Sequence, residues 1–340
     1  MLVVVLDKIK GHTMRFEDII GNDTIKIQLS IASRASLIKN TSIPHILFTG
    51  SAGCGKTTMA KTLAIHHSSN FIKVPPETIK TSKDLFDVSE TLCAEGYSKE
   101  GKIINKIRPT IIFFDEIHKM PLSGQEVLGI AMEEWYITSK NQYTGQICEY
   151  WLPKFTVVGA TTLAGKLSKP FKDRFKLLFQ FSTYDLEQSI LIVKKHAELK
   201  NLKITDECAK AIACRARGVP RTIVSYLERA ADAITVMGET TITSYTANSI
   251  FNIMGIDESG LSTNDIKLMK TLYSSGMPVG LDTLSVILDE TQTTLLNNRE
   301  PYLIQRGLIM RTGRGRVLTQ AGIEYLRENK HIETRRKFSA

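Results

Sequence analysis

A glycine-rich stretch near the start of the chain carries the clearest chemical signal. Residues 50–57 have the sequence GSAGCGKT, which matches the phosphate-loop pattern G-x-x-x-x-G-K-[ST] at every specified position. Its glycines, Gly50, Gly53 and Gly55, let the backbone curl so that successive N–H groups point at phosphate oxygens. Lys56 can reach the β- and γ-phosphates of ATP, and the Thr57 hydroxyl can bind Mg²⁺. The alternative is a glycine-rich turn with a chance lysine.

A second site is predicted some 60 residues downstream. Four apolar residues at 111–114 precede Asp115 and Glu116, a pattern typical of a buried parallel strand with carboxylates at its end. Asp115 would hold Mg²⁺ directly or through water, and Glu116 would polarise the attacking water. The alternative is a core strand followed by exposed acids. His118 is assigned a structural or sensing role in preference to that of a catalytic base.

The elements around these residues indicate an α/β fold with a parallel sheet. The apolar run 46–49 precedes the loop and residues 58–64 form a helix, as the motif requires. A further apolar strand over 155–162 ends in Thr161 and Thr162. Because ligands of such sheets lie at the carboxyl ends of the strands, one threonine would contact the γ-phosphate or the water.

Two arginines, Arg174 and Arg221, are further candidates for a functional role. Arg174 lies among aromatic residues in a short turn after that strand, where surface packing is the ordinary explanation. Arg221 follows Pro220 in the first turn of a predicted helix, where the dipole disfavours a cation. A nearby anion would remove that conflict.

The C-terminal third has the pattern of a winged helix. Helices are predicted from residue 183 onward, and residues 255–260 are predicted to be a linker. Three more helices, a hairpin over 308–319 and a final helix from near Thr319 follow. The hairpin has a basic tip with two glycines, which would let guanidinium groups approach DNA phosphates. Its arginines are Arg311, Arg314 and Arg316. The alternative is a solvated basic wing.

Composition is consistent with a nucleic-acid partner. The chain has 340 residues, 42% of them hydrophobic, a net charge of +9 and a pI of about 9.2. Nine Lys/Arg and three Asp/Glu from residue 306 onward supply +6 of that charge. The five cysteines form no C-x-x-C pair, which predicts a reduced, cytoplasmic chain without disulfides or zinc. The apolar run 2–6 is too short to span a membrane and could be an extra edge strand or an extension.

Together these motifs resemble the RuvB family, the AAA+ ATPase motors of Holliday-junction branch migration. The likeness covers roughly residues 15 to 327. Its most specific parts are DEIH at 115–118, GATT at 159–162 and the stretch 302–316, joined by DRF at 173–175, GVPR at 218–221 and EPYLIQ at 300–305.

The resemblance implies three domains and an assembly. A large ATPase domain would cover residues 1–182, a small helical lid 183–256 and a DNA-binding winged helix 257–340. The family likeness also implies a hexameric ring around double-stranded DNA at a four-way junction, with a RuvA-like partner bound at the hairpin near residues 137–150.

The resemblance also assigns residue roles. Thr161, or Thr162, would sense the γ-phosphate, Arg174 would enter the neighbouring subunit's site, and Arg221 would sense the nucleotide from the lid. Further nucleotide contacts would come from Gly53, Thr58, Glu133, Glu134, Trp135 and Tyr184, and the DNA contacts from Arg311 and Arg316.

Two other functions remain open at this stage. A clamp-loader-like AAA+ switch would share the core but end in a helical collar. A DNA-binding protein with a vestigial ATPase would need no complete set of catalytic residues.

Overall fold

A computed structural model describes residues 5–6, 15–94, 109–140, 146–329 and 331. The chain forms two compact units. The first comprises Met1–Tyr184 with Val219–Arg221, and the second comprises Asp185–Gly218 with Thr222–Ala340.

The first unit is built on a six-stranded sheet. Its strands are β1 (Val5–Leu6), β2 (Ile46–Thr49), β3 (Asn70–Lys73), β4 (Thr110–Phe114), β7 (Phe155–Thr161) and β8 (Leu177–Gln180). Their order across the sheet is β1-β3-β4-β7-β2-β8. All neighbours pair in parallel except β1, which pairs antiparallel with β3 at the edge. The predicted parallel sheet is therefore confirmed, and the N-terminal run contributes an edge strand.

Helices cover both faces of this sheet. They are α1 (Asp23–Lys39), α2 (Lys56–His66), α3 (Ser82–Ala94), α4 (Leu122–Glu134) and α5 (Lys169–Asp173). Strand β4 shows why both faces of the sheet must be buried. Ile112 and Phe114 belong to one apolar core, whereas Ile111 and Phe113 belong to the other. Because alternate residues of a strand face opposite sides, a wholly apolar strand must be covered on both.

A separate hairpin follows α4. Its strands are β5 (Tyr136–Lys140) and β6 (Ile147–Trp151), which pair antiparallel as predicted. The sequence pattern predicts a helix from Gln125 to Tyr136; this end is wrong, because Trp135 adopts a left-handed conformation with φ 62° and ends α4. The sequence also predicts a turn over 143–146, and a helix followed by a polar segment over 82–106. All of the turn except Gln146, and residues 95–106, lie outside the described residues.

The second unit begins with four helices and one short strand pair. The helices are α6 (Leu186–Leu199), α7 (Asp206–Arg215), α8 (Pro220–Met237) and α9 (Ser244–Ile253). The prediction of a wholly helical region missed β9 (Lys203–Ile204) and β10 (Thr241–Ile242), which pair in parallel. Strands of two residues carry no measurable periodicity, so the sequence could not indicate them.

The rest of the second unit is a winged helix, as predicted. Its elements are α10 (Thr263–Ser275), α11 (Leu281–Leu288), α12 (Gln292–Thr294), a π-helical turn (Leu295–Arg299), α13 (Glu300–Gln305), β11 (Ile309–Thr312), β12 (Gly315–Leu318) and α14 (Gln320–Glu328). No helix among the described residues is both long and apolar enough to span a membrane.

The segment predicted as a linker is packed against the helices around it. Ile256 forms a β-bridge with Ser262, and the Asp257 carboxylate accepts a hydrogen bond from Leu261 N–H at 2.7 Å. A Cβ on Gly260 would lie 2.6 Å from the Arg215 carbonyl oxygen, so the chain here approaches α7 closely. The lid helices and the winged helix are therefore joined by an ordered turn.

Candidate nucleotide site and DNA-contacting wing

The phosphate loop connects β2 to α2 in a conformation that requires glycine. Gly50, Gly53 and Gly55 have φ values of 141°, 78° and 98°. A Cβ on Gly50 would lie 2.5 Å from the Phe181 carbonyl oxygen, and a Cβ on Gly53 would lie 2.8 Å from Arg221 Cβ. The glycines are therefore needed both for backbone conformation and for close packing.

Lys56 lies along the inside of this loop. Its side chain is buried, and Nζ donates hydrogen bonds to the carbonyl oxygens of Gly50 and Ser51, both at 2.8 Å. Cys54 Sγ lies 3.7 Å from the same ammonium, and burial raises the pKa of this thiol. The ammonium is thus positioned at the loop, where phosphate oxygens would compete with the carbonyl groups for its protons.

The structure brings Arg221 and Tyr184 to the loop. The Arg221 N–H donates to the Gly53 carbonyl at 3.4 Å. The Tyr184 hydroxyl accepts a hydrogen bond from Asn22 Nδ2 at 2.8 Å and lies 3.6 Å from the position of a Cβ on Gly55. Burial raises the pKa of Tyr184, so its hydroxyl stays protonated at neutral pH. Both residues therefore lie beside the phosphate loop of the same chain.

Both acids after β4 have partners at this edge of the sheet. Asp115 Oδ2 accepts from Lys73 Nζ at 3.0 Å. Glu116 has a left-handed backbone with φ 50°, which is uncommon for a residue other than glycine. Its Oε2 accepts hydrogen bonds from Thr162 N at 3.1 Å and Thr162 Oγ1 at 3.0 Å. The carboxylate is therefore oriented by the end of β7.

The two threonines at the end of β7 have different surroundings. Thr161 is fully buried, and its Oγ1 accepts from Leu163 N–H at 2.9 Å and contacts His118 Nδ1 at 2.9 Å. Thr162 is the exposed member of the pair. The structure thus places the Thr161 hydroxyl in a packed network and the Thr162 hydroxyl beside Glu116.

His118 joins the two halves of that network. Its Nδ1 lies 3.2 Å from Glu116 Oε2 as well as near Thr161. Desolvation lowers the pKa of His118, against a smaller raising effect of the Glu116 charge. The imidazole is therefore neutral at pH 7, which agrees with a structural role for this residue.

Sequence reasoning missed Lys73, the last residue of β3. Strands β3 and β4 are parallel neighbours, and Lys73 pairs in register with Phe113, two residues before Asp115. The sequence shows Lys73 only as a polar residue at the carboxyl end of a predicted strand, which does not indicate a contact with Asp115. Which strand would lie next to it depended on the order of the sheet.

Arg174 lies at the opposite end of the sheet from the phosphate loop. Its Nε donates to the Gly129 carbonyl at 2.8 Å and its Nη1 to the Pro170 carbonyl at 2.6 Å. Two residues later, Lys176 N–H donates to the carbonyl of His45, which directly precedes β2. The loop follows the carboxyl end of β2, so Arg174 does not join the phosphate loop of its own chain.

The residues at the end of α4 lie near Arg174, at the same end of the sheet. Glu133 Oε2 lies 3.2 Å from Arg174 Nη2, and Glu134 is exposed next to it. Trp135 packs against His45 and against Phe155, the first residue of β7, with ring centroids 5.8 and 5.4 Å apart. The structure therefore separates these three predicted nucleotide contacts from the phosphate loop of the same chain.

In the wing, a buried carboxylate holds two of the three predicted DNA contacts. Arg311 and Arg316 face each other across β11 and β12. Their Nε atoms donate to Glu300 at 2.6 and 2.7 Å, and Glu300 is fully buried. The Arg316 side chain is 14% exposed and that of Arg311 49%. Arg314 is exposed at the tip. The role of Glu300 was missed, although it begins one of the motifs noted in the sequence.

Comparisons with known proteins agree for most of the chain, from residue 12 to residue 327. Residues 12–181 match the Holliday junction DNA helicase RuvB P-loop domain, residues 184–257 the RuvB AAA lid domain, and residues 258–327 the RuvB C-terminal winged helix domain. A similar relative is the Holliday junction branch migration complex subunit RuvB of Streptococcus thermophilus, 36% identical over 92% of this chain and 93% of its own length. The Thermotoga maritima RuvB Holliday junction branch migration motor has a similar structure, with a TM-score of 0.76 and 29% identity over 92% of this chain and 97% of that one.

Proposed function

Because this chain belongs to the RuvB family, we propose that it is an ATP-driven DNA translocase that promotes branch migration at Holliday junctions. The proposal is supported by the position of the Lys56 loop with Arg221, and of Glu116 after β4, at the carboxyl edge of one sheet, in a chain that ends in a basic winged helix. ATP hydrolysis in the first unit would drive movement of DNA bound by the wing.

The residues of the loop fit a nucleoside triphosphate with Mg²⁺. Three glycines with positive φ carry no side chain that would keep a phosphate away from the main-chain N–H groups of the loop. Lys56 is held against the same loop. Thr57 and Asp115 would hold the ion, and Gly53 and Thr58 would line the nucleotide. Mg²⁺, when bound, would neutralise charge on the β- and γ-phosphates.

Glu116 would polarise the attacking water. Its carboxylate is fixed by two hydrogen bonds from Thr162, so a water placed against it has a defined orientation. The exposed Thr162 suits contact with the γ-phosphate better than the buried Thr161, which would instead act through His118. Arg221 and Tyr184, which lie against the loop, would report the presence of the nucleotide to the lid.

Arg174 would act on the nucleotide of a neighbouring copy. Its position at the amino end of the sheet excludes contact with its own phosphate loop, whereas a head-to-tail assembly can bring the two together. Glu133, Glu134 and Trp135 would face the neighbour's nucleotide for the same reason. In a closed ring of identical chains, which we propose to be a hexamer, every nucleotide site receives Arg174 from a neighbouring chain.

The winged helix would bind the backbone of double-stranded DNA through its wing. Arg311 retains Nη groups beyond its bond to Glu300, and Arg314 is exposed at the tip. A RuvA-like protein would deliver the ring to the four-way junction through the β5–β6 hairpin. Such a motor would work in the cytoplasm, on DNA.

The two alternative functions have less support. A clamp-loader-like switch would carry a helical collar where this chain has a winged helix. A vestigial ATPase would have no need to hold Glu116 and Lys56 as they are held here.

The proposal is tested with purified protein and a synthetic four-way junction. We expect ATP hydrolysis that is stimulated by the junction, and conversion of the junction to duplex products that requires ATP. The assay is run with and without a RuvA-like protein from a related organism. Absence of both hydrolysis and branch migration in every arm would contradict the proposed function.

Arg311→Ala should weaken DNA binding evenly across sequences. Because a phosphate contact releases about one counterion, the slope of log K against log [salt] should fall by about one. Arg316→Ala should lower the slope less, since its side chain is mostly buried against Glu300. Its main effect should be on stability, by roughly 1.5–3 kcal/mol, since it removes a charged hydrogen bond to the buried Glu300, which keeps Arg311 as a partner.

Fluorescence anisotropy with a labelled duplex at several salt concentrations, together with thermal unfolding, separates the two effects. Arg229→Ala, an exposed arginine on α8, serves as the control for a general loss of positive charge. An unchanged slope for Arg311→Ala would move the DNA site away from the wing.

A further inference from the structure

The segment from the connection after α7 to the first turn of α8 carries two arginines with separate partners, Arg217 and Arg221. Arg221, at the end of this segment, lies against Gly53 of the phosphate loop in the first unit. Arg217, four residues earlier, contacts Gly260, Asp265 and Tyr302, which all belong to the second unit. The chain geometry keeps their Cα atoms within about 14 Å of each other.

Arg217 joins the lid to the winged helix through several bonds. Its Nε and Nη2 donate to the Gly260 carbonyl at 2.8 and 2.5 Å, and Nη2 also donates to Asp265 Oδ2 at 2.5 Å. The guanidinium lies over the Tyr302 ring, 4.3 Å from its centroid. Gly260 and Asp265 lie at the start of the winged helix, and Tyr302 lies on α13. The Arg217 side chain therefore contacts the winged helix at three residues.

The partner carboxylate is itself fixed. Asp265 is fully buried and accepts hydrogen bonds from Ser262 N and Oγ at 2.8 and 2.7 Å, capping the start of α10. Arg299 Nη1 lies 3.6 Å from its other oxygen. The charge of Asp265 is therefore balanced by two arginines in a site largely removed from water, where loss of one partner is costly.

The segment from Arg217 to Arg221 is short and conformationally restricted. Arg217 has φ 57° and Gly218 φ 67°, so two successive residues adopt the left-handed conformation, and Pro220 fixes another backbone angle. A left-handed arginine costs of order 1 kcal/mol and persists only where its surroundings require it. Here the bonds to Gly260 and Asp265 supply that requirement.

We propose that Arg217 is the positioning residue that transmits the nucleotide state to the DNA-binding domain, an inference that rests on the proposed function. When Arg221 moves with its nucleotide contact, the short segment displaces Arg217. Arg217 in turn displaces the turn at 257–262 and α13, because it is hydrogen-bonded to Gly260 and Asp265 and stacked on Tyr302. Without this side chain, the winged helix would be connected to the lid by the covalent turn and weaker packing, and its movement would no longer follow the nucleotide.

The test measures the coupling between two ligands at equilibrium. A duplex changes the affinity for a non-hydrolysable ATP analogue by some factor, and by reciprocity the analogue changes duplex affinity by the same factor. For the unmodified protein we expect a factor in the usual range of about 5–150. For Arg217→Ala we expect a factor within about twofold of one, with the affinity for each ligand alone changed less than about threefold.

Conservative and control variants separate coupling from folding. Arg217→Lys keeps the charge but lacks the planar guanidinium that bonds Gly260 through two nitrogens and stacks on Tyr302, so it should also lose most of the coupling. Arg229→Ala, on an exposed face of α8, should keep the full factor. Arg217→Ala and Asp265→Asn should be non-additive in the coupling free energy, because they remove the same bond.

Hydrogen exchange supplies a readout that does not depend on ligands. In Arg217→Ala the amides of Leu261 and Ser262 should exchange at least about tenfold faster, because the bonds that order this turn are lost. The amides of the phosphate loop should keep their protection. A variant too unstable to assay for ligands is then judged by Arg217→Lys in the same two measurements.

The outcomes distinguish this inference from the proposed function. If the unmodified protein hydrolyses ATP on junction DNA but Arg217→Ala and Arg217→Lys keep the full coupling factor, the inference fails and the function stands. A coupling factor of one in the unmodified protein also overturns the inference, since nothing is transmitted. If the unmodified protein neither hydrolyses ATP nor moves a junction, the proposed function itself fails.

Discussion

Arg174→Ala is expected to abolish ATP turnover while leaving ATP binding near its original affinity. An arginine donated to a phosphoryl-transfer site contributes roughly 10³–10⁵ in rate, because its charge matches the charge of the transition state. In this chain Arg174 is held at the end of the sheet opposite the phosphate loop by Gly129, Pro170 and Glu133. Its loss therefore leaves intact the phosphate loop, with Lys56, that would bind the nucleotide in each chain.

The measurement is steady-state phosphate release beside equilibrium binding of a fluorescent ATP analogue. Lys176→Ala, an exposed residue two positions further on, serves as the control for disturbance of this turn. Hydrolysis at the parental rate by Arg174→Ala would exclude Arg174 from catalysis.

Mixing variants tests whether Arg174 acts between subunits. Lys56→Ala chains cannot bind nucleotide but still carry Arg174, and Arg174→Ala chains have intact loops. Where a Lys56→Ala subunit places its arginine in the site of an Arg174→Ala neighbour, a complete site is restored. We expect activity from the mixture that neither variant shows alone. An inactive mixture of subunits that do co-assemble would contradict action in trans.

Glu116→Gln is the second variant expected to have a large effect. The amide keeps the size of the side chain but cannot polarise water as a carboxylate does, and loss of such a group costs typically 10²–10⁴-fold in rate. Thr162 should still donate to the amide oxygen, so the local structure should be preserved. We therefore expect a protein that binds ATP, assembles on DNA and does not turn over.

Single-turnover hydrolysis of pre-bound ATP is the direct measurement, because it separates the chemical step from product release. Glu126→Gln, an exposed position on α4, is the matched control. If Glu116→Gln cleaves bound ATP within a few-fold of the parental rate, another group activates the water.

Part of the fold follows from local sequence. The phosphate loop and the strand before Asp115 were predicted correctly because each is specified within a short window. Glycines dictate the loop's backbone, and an unbroken apolar run dictates a strand covered on both faces. The winged helix was predicted for the same reason, as helical periodicity changes to a hairpin within residues 263–328.

Other features depended on contacts between distant residues. Trp135 ends α4 in a left-handed conformation beside His45 and Phe155, and nothing in the residues after Gln125 indicates that. The pair β9 and β10 is too short to have a pattern. The turn at 255–260 has the glycines of a flexible linker, yet it is held by Arg217 and packs closely against Arg215 at the end of α7.

The sequence by itself determined which residues could do chemistry and on which elements they lie, since propensity and motif spacing are local properties of the chain. Only the tertiary structure decided which of them meet. Lys73 reaches Asp115 because β3 lies beside β4, and Arg174 lies far from its own loop because β8 starts at the other end of the sheet. Strand order and side-chain proximity arise from pairing between segments far apart in the chain, and no short window of sequence contains that information.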